Sequence, residues 1–299
     1  MLISEILHTI PLPLKTSRRL FLTCLFLSSC GARRSIETEQ LTIGILSYKS
    51  GQQISQYDDL KQYLEEKLQS IVQIEPTFNE NKALERIRAK AWSLVFAPPG
   101  LAAIAMSQYR YTPLMPLKEN NNFNSILVTK KNSPYRDLQS LAGKKLAIGQ
   151  LGSATGYYFP IYNLYGLTLA ELIPSATPMA VLEAVAQGRA DVGALSLQEF
   201  DTYKSEIPQT EFQIVFVDRH KVPAGAILVS SDIELKLQDL IHQILQSTPP
   251  IIAQKAGFIP QGVVPDYKYT ISVVDRVRAI LPTDRSQLMQ KPVRLFKAR

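Results

Sequence analysis

The amino-acid sequence predicts an α/β protein of two lobes, and three observations carry that expectation. Short apolar, β-rich runs alternate with segments of helical period from residue 41 onward. A second such series begins near residue 138, with no low-complexity linker before it. The length of 299 residues suits about two domains of ~150 residues each. Repeated strand–helix–strand units favour parallel or mixed sheets covered by helices.

In the first series, residues 41–46 (LTIGIL) read as a strand. Residues 55–69 follow with Tyr57, Leu60, Leu64 and Leu68 on one helical face, and Ser55 with Asp58 offers a capping pair at the start. A strand is expected at 71–78, a helix at 79–91 with Leu84, Ile87 and Ala91 as its stripe, a buried-type strand at 93–97 (SLVFA) and a helix at 100–108. Strands at 111–117 and 125–130 come next. The second series reads as a helical turn at 138–142, a strand at 145–150 and helices at 155–165 and 179–187. Strands at 190–195, 212–217 and 226–230 and a long helix at 233–246 complete it.

Composition narrows the function classes. Hydrophobic residues make up 45% and charged residues 20%, ordinary values for a packed chain. No apolar run reaches the ~18 residues of a spanning helix. Of the formal charge of +7, the first 29 residues hold +2 (Lys15, Arg18 and Arg19 against Glu5), which leaves +5 for the rest. That excess is dispersed, compatible with steering an anionic solute and without the basic block of a nucleic-acid binder. Cys24 and Cys30 both lie near the start, so the body has no disulfide framework. With only His220 and His242 beyond them, no metal centre or cofactor is expected.

The first thirty residues read as an export address. Lys15, Arg18 and Arg19 precede a short apolar core at 20–27 (LFLTCLFL), closed by Ser28, Ser29 and Cys30. Residues 17–22 (SRRLFL) resemble a twin-arginine signal, the alternative being a Sec signal with incidental arginines. Residues 27–30 (LSSC) resemble a bacterial lipobox, with cleavage without acylation as the alternative. Acyl chains on Cys30 would anchor the protein, at ~0.8 kcal/mol per buried CH₂. Residues 31–40 read as a polar tether.

The stretch 137–194 is the most informative. A strand (KKLAIGQ) runs into Gly152, Ser153, Ala154, Thr155 and Gly156, where a helix begins. Unpartnered N–H groups of the first turn, the macrodipole and two hydroxyls make a ready anion site. Ordinary capping by Ser153 or Thr155 is the plainer reading of the same residues. The spacing is not that of a P-loop, for no lysine follows the glycines.

On these residues the chain resembles the phosphate/phosphite/phosphonate-type substrate-binding proteins of ABC importers. The shared features are Asp137-Leu138, residues 141–147 (LAGKKLA), residues 152–156 (GSATG) and residues 188–194 (GRADVGA). Looser matches lie at 93–105, 222–233 and 256–260. The resemblance implies the type II periplasmic-binding fold: one lobe from 41–124 plus 226–299, the other from 125–225. Crossing strands near 126–129 and 226–229 would form the hinge, about which ligand closes the lobes. It further implies that Ser153, Thr155 and the N–H groups of Ala154, Thr155 and Gly156 hold the anion, with Ala97 and Pro98 on the opposite wall and Tyr48, just after the first strand, facing the ligand; a surface-loop tyrosine is the alternative for Tyr48.

Departures matter too. Relatives carry Ser-Thr-Ser-Gly where this chain has Ser153-Ala154-Thr155-Gly156, and a histidine where Thr177 or Pro178 stands. The tyrosine expected beside Ala97 is missing. Acids that grip an aminoalkyl tail should follow the ADVGA run, but Leu195 and Ser196 occupy that place, with Glu199 further on; this weakens an aminophosphonate reading. Asp191 reads as a turn cap, Trp92 as packing, and His220 and His242 as incidental surface residues without partners in sequence.

The expectation is therefore a monomeric, lipid-anchored solute receptor on the periplasmic side of a bacterial inner membrane. Its partners would be a small oxyanion and an ABC permease. A ligand sensor of the same fold, signalling to a membrane partner, is the alternative. An enzyme is disfavoured, because no nucleophile–base pair or cofactor fingerprint is legible.

Overall fold

The structure is a computed structural model and describes residues 40–48, 54–118, 124–281 and 291–296. The export segment, Cys30 and residues 31–39 of the tether lie outside the described residues. No helix among the described residues is long and apolar enough to cross a membrane.

The first sheet is built on β1 (Leu41–Leu46), which pairs in parallel with β2 (Val72–Thr77) and β3 (Leu94–Ala97). The crossovers are α1 (Asp58–Leu68) and α2 (Glu80–Arg88). Asn79 starts α2, its side chain accepting the Lys82 N–H at 3.0 Å. Next come α3 (Pro99–Tyr109) and β4 (Thr112–Pro116). Helix α3 is apolar all round, with Leu101, Ala102, Ala103, Ile104 and Ala105 buried. Such a helix must be covered on every side, and here α2 and α9 (Lys268–Ile280) both pack on it.

The second sheet follows from β5 (Ser125–Lys130) and β6 (Lys145–Ile148). A π turn (Ala154–Tyr158) leads into α4 (Phe159–Asn163), then β7 (Thr168–Leu169) and β8 (Glu171–Pro174). Helix α5 (Pro178–Ala186), β9 (Val192–Ser196), α6 (Leu197–Tyr203) and β10 (Phe212–Val217) complete it. The chain then returns through residues 218–225 to β11 (Ala226–Val229), α7 (Leu235–Gln246), α8 (Pro250–Ala256), α9 and β12 (Val293–Arg294).

The strand orders are β2-β1-β3-β11-β4 and β10-β5-β9-β6-β8. In each sheet the strand that follows a crossing, β5 or β11, runs antiparallel to its neighbours. Both strands lie inside their sheets. The chain changes sheet before β5 and again through residues 218–225 before β11. One apolar cluster takes residues from both sheets' surroundings, joining Leu101 and Ile104 to Ile148, Tyr157 and Tyr158.

Several expectations need correction. Ser55 makes no cap: α1 is entered through a 3₁₀ turn at Ser55–Tyr57, and neither helix start has a side-chain bond. The residues before α1 are already in helical conformation, so the turn supplies the acceptors. The C-terminal segment does not stay with the first sheet. Val293 and Arg294 of β12 pair with Leu169 and Thr168 of β7. Trp92 is wholly buried, as packing requires.

Candidate functional site

The second sheet presents two helix starts to the gap between the sheets. At the first, Ser153 accepts the Gly156 N–H on its Oγ at 3.0 Å. At the second, Thr177 accepts the Ala180 N–H at 3.2 Å. Each hydroxyl keeps its own proton free to donate. The Gly156 N–H is thus already engaged by the chain. Ser125 donates to the carbonyl of Thr155 at 2.7 Å, tying the π turn to β5.

The first sheet closes down on this face. Gly152 has φ +111°, and a Cβ there would lie 2.7 Å from Leu101 Cδ2 and 2.9 Å from Glu80 Cβ. A Cβ on Gly100 would stand 2.2 Å from the Gly152 carbonyl oxygen and 2.5 Å from the Ala154 nitrogen. Only glycine allows two backbones so close. The Asn81 N–H also donates across the gap to Gln150 Oε1 at 3.2 Å.

What remains is a small cavity of about 10 Å³, room for one water at most. Ser153, Gly156, Ser175 and Thr177 line it, together with two carboxylates, Glu80 and Glu199, and among the described residues no lysine or arginine. Glu80, the first residue of α2, is buried and accepts the Tyr48 hydroxyl at 2.6 Å. Burial above all, with Glu199 adding repulsion, raises its pKa to about 7, although the Tyr48 bond pulls the other way. Burial also raises Glu199, opposed by its bonds to Ser196. The Tyr48 hydroxyl, desolvated and facing both acids, is held well above its ordinary range.

Glu199 sits where it does because of a capping box. Its N–H donates to Ser196 Oγ at 3.1 Å, and its Oε2 accepts the Ser196 N–H at 2.7 Å. The Ser-x-x-Glu spacing was legible as a helix start. Glu80 had no such signal, since an acid in a first turn reads as an ordinary dipole partner.

A second cavity of about 450 Å³ opens beside the first, and Glu199 lines both. Its walls include Tyr48, Tyr57, Pro98 and Lys118 from one side and Gln198 and Tyr203 from the other. The structure thus places Tyr48 and Pro98 at the larger space and Ser153, Gly156 and Thr177 at the smaller. Ala97, Ala154 and Thr155 are buried and line neither: Ala97 is held in the ladder opposite Ala226.

Other candidates resolve structurally. Asp191 accepts the Lys145 N–H at 2.8 Å and so fixes the start of β6. His220 is not partnerless: its Nδ1 lies 2.8 Å from Asp218 Oδ1, and its ring stacks on Tyr269 at 4.6 Å. Asn163 donates to the other oxygen of Asp218 at 2.6 Å. This group braces the return crossing rather than the gap. Among the described residues no cluster of His, Cys, Asp or Glu is placed to hold a metal.

Solved structures share this architecture. XAC2383 from Xanthomonas citri bound to ATP matches with a TM-score of 0.65 at 19% identity, over 80% of this chain and 98% of that one. PhnD1 from Prochlorococcus marinus in complex with methylphosphonate matches at 0.63 and 18%, over 81% and 100%. A binding protein component of an ABC phosphonate transporter from Pseudomonas aeruginosa matches at 0.63 and 12%, over 83% and 91%. The fold is therefore the type II periplasmic-binding fold. The profile described as ABC transporter, phosphonate, periplasmic substrate-binding protein matches residues 43–255, well over half the chain. Its members deliver a solute to a membrane permease and are not enzymes. This chain belongs to the family of periplasmic substrate-binding proteins of ABC phosphonate transporters.

Proposed function

We propose that the protein binds a small phosphonate that also carries a cationic group. The helix starts at Ser153 and Thr177 take the anionic end, and Glu80 and Glu199 face the cation. The observation that carries this is the lining of the small cavity: the hydroxyls and helix starts of Ser153 and Thr177, with two carboxylates, Glu199 from their own lobe and Glu80 from across the gap, and among the described residues no basic side chain. A bare anion there would meet like charge wherever these acids are ionised, which is unfavourable. A zwitterion satisfies both the hydroxyls and the acids. The acids that the sequence left unplaced after the ADVGA run come from α6 and from α2.

The cavity as it stands is too small for any such solute, so binding requires opening. The lobes, 41–124 with 226–281 and 125–225 with β12, bend about the two crossings, and solute enters by way of the larger space beside Tyr48. On release the Gly100–Gly152 contact re-forms. We further propose that the mature protein is a monomer held to the membrane by acylated Cys30. Mass spectrometry of the membrane-extracted protein tests the anchor: a diacylglyceryl mass on an N-terminal Cys30 is expected, and an unmodified N-terminus contradicts it.

The functional test is calorimetric titration of the protein lacking residues 1–29 against 2-aminoethylphosphonate, methylphosphonate, phosphate and sulfate. The expected order places 2-aminoethylphosphonate first by at least tenfold. Sulfate binding as tightly as the phosphonates contradicts the assignment.

A further inference from the structure

A cleft of about 600 Å³, open to solvent, lies elsewhere between α2, α3, α9 and the π turn, with Arg88 and Arg278 at its exposed edge. One face of α2 supplies Asn81, Leu84, Glu85 and Arg88, residues spaced three and four apart. Ile104 and Gln108 come from α3, Leu151 and Tyr158 from the second lobe's side, and Arg278 from α9. None of these residues lines the solute cavities.

The polar balance of this space is one-sided. The Gln108 Nε2 atom is buried without a hydrogen-bond partner. Buried donors are rarely left so, because an unmet one costs the full loss of hydration. Arg88 and Arg278 make no ion pair among the described residues. The single acid, Glu85, is already matched by Lys82 at 2.7 Å. Arg278 lies near enough to Tyr158 to oppose the rise that burial imposes on its hydroxyl. Leu84, Ile104, Leu151 and the Tyr158 ring supply apolar wall.

We infer that this cavity binds a second ligand, an organic anion with an apolar body. Its carboxylate or phosphate lies between the guanidinium groups of Arg88 and Arg278, and the buried Gln108 amide turns to donate to it. Guanidinium groups bind such anions bidentately, and the volume falls within the range of small-molecule sites. Because the walls come from both lobes, the ligand fits only while α2 and the π turn are together. It therefore favours the closed arrangement and is coupled to solute binding by linkage.

Phenyl phosphate is the probe, followed by saturation-transfer NMR and calorimetry on the protein lacking residues 1–29, with benzylammonium as the charge control. Phenyl phosphate is expected to bind and benzylammonium not to. The Arg88→Gln/Arg278→Gln variant is expected to weaken phenyl phosphate at least tenfold, and Gln108→Leu several-fold. Ser153→Ala/Thr177→Ala should leave it unchanged, which separates this site from the solute cavity. Absence of binding, equal binding of benzylammonium, or affinity lost only in the Ser153/Thr177 variant would overturn the inference.

Discussion

The two walls of the solute cavity are built alike and charged differently. Each offers the start of a helix to the gap. On one wall Ser153 and Thr177 cap their helices with neutral hydroxyls. On the other, Asn79 does the capping, and the first helical residue, Glu80, turns a carboxylate toward the gap. A helix start attracts an anion through its free N–H groups; an acid on its first residue uses that attraction internally. On the proposed reading the same element recruits an anion on one side and a cation on the other.

The largest effect should come from the hydroxyl wall. Ser153→Ala/Thr177→Ala is expected to lower phosphonate affinity at least a hundredfold, since each charge-assisted bond contributes ~1.5–3 kcal/mol. Calorimetry would read it, and unchanged affinity would remove that wall from the site.

The carboxylate wall should show itself in the solute-free protein through pH. Glu80 has a folded pKa of about 7 against an ordinary 4.5. Between those values the folded state binds more protons than the unfolded, so stability falls as pH rises through that window. Glu80→Gln removes this loss, and the gain over wild type should be small at pH 5 and up to about 3 kcal/mol at pH 8. Equal thermal shifts at both pH values would show that Glu80 is not desolvated.

A smaller and more selective change concerns the ligand. Glu80→Gln should weaken 2-aminoethylphosphonate and strengthen methylphosphonate, narrowing their ratio about tenfold, as for one charge-assisted bond. The smallest effect is expected for Ser196→Ala. Loss of the cap of α6 costs about 1 kcal/mol, seen as a melting point lower by roughly 2–4 °C.

Much of the fold was legible. Strands β5 and β10 fall where their apolar runs predict, at Ser125–Lys130 and Phe212–Val217. The helix start at Ser153 was readable from glycines and hydroxyls. Helix α9 was readable too, since Thr270, Val273, Val274 and Val277 recur at helical spacing and are its buried face, though it is absent from the elements expected from sequence. Strand β12 carried no local signal, being defined by pairing with β7, a contact far apart in sequence. Thr155 reads as a ligand hydroxyl, yet the π turn buries it and directs its carbonyl to Ser125. Glu80 is illegible for the same reason: its surroundings are set by Tyr48, 32 positions away, and Glu199 on the other lobe.

The most direct test is the ratio of two affinities in the wild-type protein at pH 8, where Glu80 is ionised in the free state. The account predicts that 2-aminoethylphosphonate binds at least tenfold more tightly than methylphosphonate. Methylphosphonate binding equally well or better would contradict it, since two facing carboxylates would then be indifferent to the charge of the solute.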